Sequence, residues 1–342
     1  MKQANLSCVR LIATLMIISC HILQGLDLEA AFWLNVGVQI FFVLSGYLYS
    51  KKEIKDVKLF YKKQYRKIIV PYIILITIIF TTLKISKLPM IDNKFTLLGI
   101  FLGFQNWTGT SAIVSHTWFI SYILLCYLIT PILKKIKIFN NTENYLKTIL
   151  GFIALALILQ LFISYGVINI IGSYILLYII GYILGNTDSK KMRKICIVFV
   201  TLTLLILPLR IWVQYYNPVT LINFINYFKI GSSDFISYHH GLIGISLFLI
   251  IALLFKKIKY NKLLYYSDKY SYYVYLVHQI FILKNYSLLN ISQSLLLNIL
   301  LIIIVTIISA IVLYYLTKLF NLVIDVLIKK VKYFKKEGIK ID

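Results

Sequence analysis

The sequence predicts an all-α integral membrane protein with about ten transmembrane helices and both termini in the cytoplasm. Hydrophobic residues make up 60% of the 342 residues, whereas soluble domains hold about 45–50%. Stretches such as 195–209 and 295–316 carry almost no charge, and a bilayer span needs about 20 such residues. These stretches are continuous, which excludes the alternating strands of a membrane β-barrel.

Hydrophobic runs between charged loops predict ten spans. Their approximate bounds are 6–25, 32–50, 68–85, 118–133, 148–165, 171–186, 195–213, 237–255, 270–286 and 295–317. Loops on the side of the N-terminus hold 29 Lys and Arg residues, and those on the other side hold five. Basic loops stay in the cytoplasm, so this asymmetry sets the orientation.

The net charge of +24 is therefore explained by the basic loops that set the topology. Its expected partner is a bilayer with anionic headgroups, and nucleic acid is not expected. We expect a multi-pass protein of the bacterial plasma membrane, with a ten-span domain over residues 1–317 and a basic amphipathic cytoplasmic tail over 318–342. Residues 95–107 are apolar but too short to cross, so they predict an interfacial or re-entrant piece. The four cysteines have neither disulfide-framework nor metal-ligand spacing.

Arg10 and His21 both lie in the first span, eleven residues apart. At 100° and 1.5 Å per residue, they share one helix face about 16 Å apart along the axis. Each is costly in hydrocarbon and therefore marks a functional-site hypothesis. The alternative is a snorkelling arginine near the cytoplasmic end and a hydrogen-bonded structural histidine.

The other intramembrane polar residues are mostly histidines predicted to lie towards the outer side. They are His116, His239, His240 and, near the middle of the ninth span, His278. No H-x-x-x-H spacing occurs, so no metal is expected. Asp27 and Glu29 follow His21 and could polarise it, although solvated loop charges are the favoured interpretation. For Arg210, at the outer end of its span, snorkelling is favoured.

Five segments in order carry a recognisable signature. They are Arg10 to His21, residues 37–47 (GVQIFFVLSGY), Lys67 to Tyr72, residues 116–120 (HTWFI) and residues 270–278 (YSYYVYLVH). They resemble, in that order, the R/K-x10-H, GVxIFFxLSGY, basic-loop-to-proline, H-x-W-F-L and YSxYLxH segments of the acyltransferase-3 family of multispan membrane acyltransferases. The resemblance covers most of the chain, and ten spans is the family's architecture.

The resemblance implies transfer of an acyl group, often acetyl from acetyl-CoA, to a hydroxyl of a cell-surface or lipid-linked glycan. His21 is the expected general base, or a transient acyl acceptor. Arg10, also assigned to the catalytic pair, suits the phosphates of cytoplasmic acyl-CoA. Two-part family members carry an extracellular esterase-like domain that this sequence lacks, so the membrane domain or a separate partner is expected to complete the transfer.

Four residues are weaker candidates for binding the substrate. Trp118 is expected to line the pocket or stack on a sugar, or else to anchor at the interface. His116 and His278 are expected to complete the pocket, or to bond neighbouring helices. Ser45, with Gly46, is expected to allow close helix approach more than to act in catalysis.

Two other functions remain open. A glycan or lipid-linked sugar exporter explains ten spans and central polar residues equally well, but does not predict the Arg10–His21 spacing. A structural subunit of a polysaccharide synthase complex predicts that Arg10 and His21 can be replaced without loss of product. No Walker loop and no GxSxG elbow is present, which argues against an ATP-driven pump and a hydrolase-like serine.

Overall fold

The computed structural model describes residues 3–87, 93–109, 112–137, 145–162, 167–216, 218, 219, 222, 232–283 and 287–336. Every regular element in these ranges is helical, which confirms the all-α class. The α-helices are α1 (Ala4–Gly25), α2 (Ala31–Leu34), α3 (Gly37–Ser50), α4 (Val57–Ile85), α5 (Lys94–Leu102), α6 (Gln105–Thr108), α7 (Trp118–Lys135), α8 (Tyr145–Phe162), α9 (Val167–Gly185), α10 (Ser189–Ile211), α11 (Ser232–Leu254), α12 (Lys262–Ile282) and α13 (Leu295–Lys336).

Seven helical stretches among the described residues are long and apolar enough to cross a membrane. Each coincides with one of the predicted spans, and the other three predicted spans fall on α8, α9 and α12. The chain is therefore a multi-pass membrane protein. The count of ten and the cytoplasmic termini stay predictions, and most of the predicted outer loop 214–236 lies outside the described residues.

Contacts within the chain define two compact units. Unit 1 comprises Met1–Tyr61 and Ser121–Ser271, and unit 2 comprises Lys62–Ile120 and Tyr272–Asp342. Arg10, His21 and Ser45 consequently belong to unit 1, and His116, Trp118 and His278 belong to unit 2.

Glycines set the packing of α3 against α9 in unit 1. A Cβ at Gly46 would overlap the backbone of Tyr178 and Tyr182, and one at Gly181 would overlap the backbone of Val43. Only residues without a side chain allow two helix backbones this close. The close approach expected at Gly46 is thus confirmed, and the neighbouring Ser45 is half-buried.

Unit 2 holds a short-helix segment against α4. The buried hydroxyl of Tyr72 donates to the carbonyl of Ile100 at 2.6 Å. Between α5 and α6 the chain turns at Gly103, whose φ of 76° is a left-handed conformation that glycine adopts without strain. The apolar stretch 95–107 therefore forms two helices, and neither is long enough to span a bilayer.

Helix α13 continues through residue 318 without a break. The Arg66 side chain of α4 binds it there, through the Asn321 side chain and carbonyl and through the Asp325 carboxylate at 2.7 Å. The first part of the proposed tail is thus a continuation of the last span's helix. Its placement on a lipid surface, and the domain boundary at 317, stay predictions.

Candidate active site

Helix α1 carries both Arg10 and His21 without a break. Eleven residues of regular helix turn the chain by three full turns plus about 20° and advance it by about 16 Å. The two side chains therefore project from nearly the same face at two depths. This confirms the helical geometry on which their pairing as functional residues depends.

Arg10 forms an ion pair with Asp268 of α12, a partner that sequence reasoning missed. Ser7 Oγ and Tyr260 Oη donate hydrogen bonds to the other carboxylate oxygen, at 2.9 and 3.0 Å. The side chains of Arg10 and Asp268 are 22% and 10% exposed, so solvent screens the pair only in part. Asp268 thereby fixes the direction of the guanidinium, and part of its charge is already compensated.

His21 is half-buried and lies one helical turn before its hydrogen-bond partner Gln24. The distance from His21 Nδ1 to Gln24 Oε1 is 2.6 Å. An amide oxygen only accepts, so Nδ1 carries the proton and Nε2 of the neutral ring carries the lone pair. Asp27 and Glu29 are both exposed to solvent, which agrees with the favoured interpretation of them as solvated loop charges.

In unit 2, His116 and His278 lie side by side. Their rings are 5.7 Å apart between centroids and nearly perpendicular, and His278 is fully buried. His278 Nδ1 donates to the Tyr275 carbonyl at 2.7 Å, and His116 Nε2 donates to the Leu276 carbonyl at 2.9 Å. The Tyr275 hydroxyl bonds the His116 carbonyl in return. Each histidine therefore has backbone partners that fix its ring.

Trp118 is the first residue of α7 and is half-buried. Its carbonyl accepts a hydrogen bond from Asn106 Nδ2 at 3.1 Å. The preceding Thr117 hydroxyl accepts from Gln105 Nε2 at 2.6 Å. The start of α7 is thus tied to α6, and this holds the backbone of His116 and Trp118 in place.

The snorkelling predicted for Arg210 is wrong. Its side chain has no exposed surface and its guanidinium lies 4.0 Å above the ring centroid of Trp33. It also bonds His239, His240 and Gln214. Snorkelling was inferred from depth along one helix, whereas α11 supplies polar partners that draw the side chain inward. The described residues contain no group of three or more His, Cys, Asp or Glu able to hold a metal ion.

Comparison with known proteins identifies a family for the chain. The model of the acyltransferase-3 family, described as an acyltransferase domain, matches residues 3–315, which is nearly the whole chain. No curated protein and no solved structure matches it.

Proposed function

Because the chain belongs to the acyltransferase-3 family, we propose that it transfers an acyl group, acetyl in the simplest case, from cytoplasmic acyl-CoA to a hydroxyl of a cell-surface or lipid-linked glycan. The observation that carries the proposal is the arrangement on α1. A hydrogen-bonded imidazole lies near one end of this helix and a carboxylate-paired guanidinium lies near the other. An anionic donor from one side could thus meet an acceptor from the other.

In this proposal, His21 is the general base. Because Gln24 accepts from Nδ1, Nε2 is the nitrogen proposed to take the proton of the acceptor hydroxyl as its oxygen attacks the thioester carbonyl. The carbon–sulfur bond then breaks, and the leaving CoA thiolate receives from Nε2 the proton that came from the acceptor hydroxyl. Gln24 positions the ring and selects its tautomer. A two-step route through an acyl-His21 intermediate uses the same nitrogen.

Arg10 is proposed to bind the phosphates of the donor. Asp268 accepts from one guanidinium nitrogen, Nη1, and a planar guanidinium can serve a second anion with its remaining N–H groups. The Asp268 carboxylate also repels a phosphate. Its proposed role is therefore orientation, and it limits how tightly the donor is held.

His116, Trp118 and His278, which all belong to unit 2, are proposed as further substrate-binding residues. The bonds to backbone carbonyls hold the two imidazole rings, and rigid polar groups are what orientation of a hydroxyl acceptor requires. Trp118 offers a half-buried aromatic face suited to a sugar ring.

Release of CoA from labelled acetyl-CoA tests the proposal. Purified protein in lipid vesicles, given membrane extract as a source of acceptor, is expected to release CoA and to move label into a glycan or lipid-linked sugar. An exporter or a structural subunit would do neither. Absence of both reactions with acetyl-CoA and succinyl-CoA would contradict the proposed function.

A further inference from the structure

A fully buried cation, which the proposed reaction does not use, lies at the end of α10. Arg210 has no exposed surface, and the chain passes directly from α10 into a π-helical turn, Trp212–Tyr216. Such turns are rare in proteins, and those that occur often lie at functional sites. Gln214 and Tyr215 of this turn both take part in the surroundings of the guanidinium.

The polar partners of Arg210 are all neutral. His239 Nε2 donates to the Thr203 carbonyl at 3.1 Å, so its Nδ1 is the acceptor for Arg210 Nη1 at 3.4 Å. His240 Nε2 accepts from Arg210 Nη2 at 2.6 Å. A ring nitrogen that accepts from a guanidinium carries no proton, so both imidazoles are uncharged.

No carboxylate in the described part of the chain forms a salt bridge with Arg210. A buried charge without an opposite charge is strongly unfavourable, and the neutral partners offset this only in part. Among the described residues, the charge of Arg210 is therefore not balanced by a carboxylate.

One edge of the guanidinium is arranged for an oxyanion. Arg210 Nε and Nη2 both point at a single oxygen, Gln214 Oε1, at 3.3 and 3.1 Å. The same pair of N–H groups binds carboxylates and phosphates. Gln214, whose side chain occupies this edge, is half-buried.

Trp33 covers the flat face of the guanidinium. It belongs to α2, which follows the end of α1 that carries His21, and its Nε1 donates to the exposed Tyr215 hydroxyl at 3.2 Å. Trp33 is itself half-buried. Its ring binds the cation through the π face, and its remaining apolar surface can pack against a sugar ring.

We propose that Arg210, with His239, His240 and Trp33, forms a binding site for the anionic group of an acidic sugar, either a phosphate or a carboxylate, whose oxygens replace Gln214 Oε1. This deepens the proposed function, on which it rests, by naming an acidic glycan as the acceptor. Trp33 packs against the sugar ring, and the guanidinium binds the anion.

Equilibrium dialysis tests the site without any acyl-CoA, so its outcome is independent of acyl transfer. Full-length protein in phosphatidylcholine nanodiscs is titrated with labelled glucose 1-phosphate, glucuronate and neutral glucose. At least one of the two anions is expected to bind more tightly than glucose, and the tighter one identifies the group. Arg210→Gln is expected to weaken anion binding at least tenfold.

Arg193→Gln is the matched control, since it removes the same charge from an exposed position on the same helix and should leave binding unchanged. If Arg210→Gln does not fold, Arg210→Lys keeps the charge, loses the two-nitrogen edge and should also bind less tightly. Equal binding by wild type and a folded Arg210 variant, or no preference of wild type for the anions, would overturn the site. Loss of binding on adding phosphatidylglycerol would assign it to a lipid phosphate instead of the acceptor.

Discussion

At the residue scale, the proposed acyl transfer depends on one nitrogen, Nε2 of His21. The bond from Nδ1 to Gln24 Oε1 leaves Nε2 as the base. Replacing His21 by Ala removes that base, and we expect acylation to fall by at least about 100-fold with an unchanged membrane level. Near-normal glycan acylation by a correctly inserted His21→Ala protein would remove His21 as the base.

Gln24 supplies a finer test of the same nitrogen. Gln24→Glu keeps an acceptor for Nδ1–H, whereas Gln24→Leu removes it and no longer selects the tautomer. We expect the Leu variant to lose more kcat than the Glu variant, with little change in the KM for acetyl-CoA. Equal kcat values for both variants and wild type would show that Gln24 does not position the ring.

Arg10 is expected to affect binding of the acyl-CoA donor. Arg10→Ala should raise the KM for acetyl-CoA by about 10–100-fold, the range of one charge-assisted hydrogen bond, and Arg10→Lys should raise it less. Asp268→Asn removes the competing carboxylate and should lower KM or leave it unchanged. If Asp268→Asn instead matches Arg10→Ala in every kinetic parameter, the pair has a structural role alone.

Sequence reasoning found these residues but not their partners. Arg10 and His21 were identified because charged and imidazole groups are costly inside a span. Asp268 was missed because it is 258 positions from Arg10, and nothing local in the sequence indicates which helices meet. The snorkelling predicted for Arg210 failed for the same reason, since its histidine partners lie on another helix.

At the element scale, Gly46 allows α3 and α9 to approach closely. Gly46→Ala places a Cβ against the backbone of Tyr178 and Tyr182, so the helices must separate, and we expect a loss of about 1–3 kcal/mol in stability. Gly151→Ala is the matched control, because a Cβ there meets nothing within 4 Å. Equal thermal stability of the two variants in detergent would contradict the assigned packing.

The positions of the helices could be predicted from the hydrophobic runs, because the length and polarity of each run are visible in the sequence itself. The breaks were harder to predict. The stretch 95–107 was expected to be too short to cross, but its division at Gly103 depends on a backbone conformation that composition does not encode. Helix α13 passes residue 318 because basic residues do not end a helix.

At the scale of the whole molecule, the division of basic residues among the loops predicts the orientation. A thiol placed at Ser233 should react with an impermeant reagent in intact cells, and one at Lys62 only after permeabilisation, in a background without the four native cysteines. Both side chains are exposed, so access depends on the side of the membrane. The reverse pattern would overturn the topology and the inside-donor, outside-acceptor scheme.

Sealed vesicles of both orientations test the central claim most directly. The claim is that acyl transfer uses acyl-CoA from the cytoplasmic face and that His21 is its general base. Acetyl-CoA added outside inside-out vesicles reaches the predicted cytoplasmic face, and the account predicts CoA release there at a rate that His21→Ala reduces at least about 100-fold. Right-side-out vesicles should release none. Equal CoA release by wild type and His21→Ala in inside-out vesicles would contradict the account. CoA release from right-side-out vesicles but not from inside-out vesicles would contradict it as well.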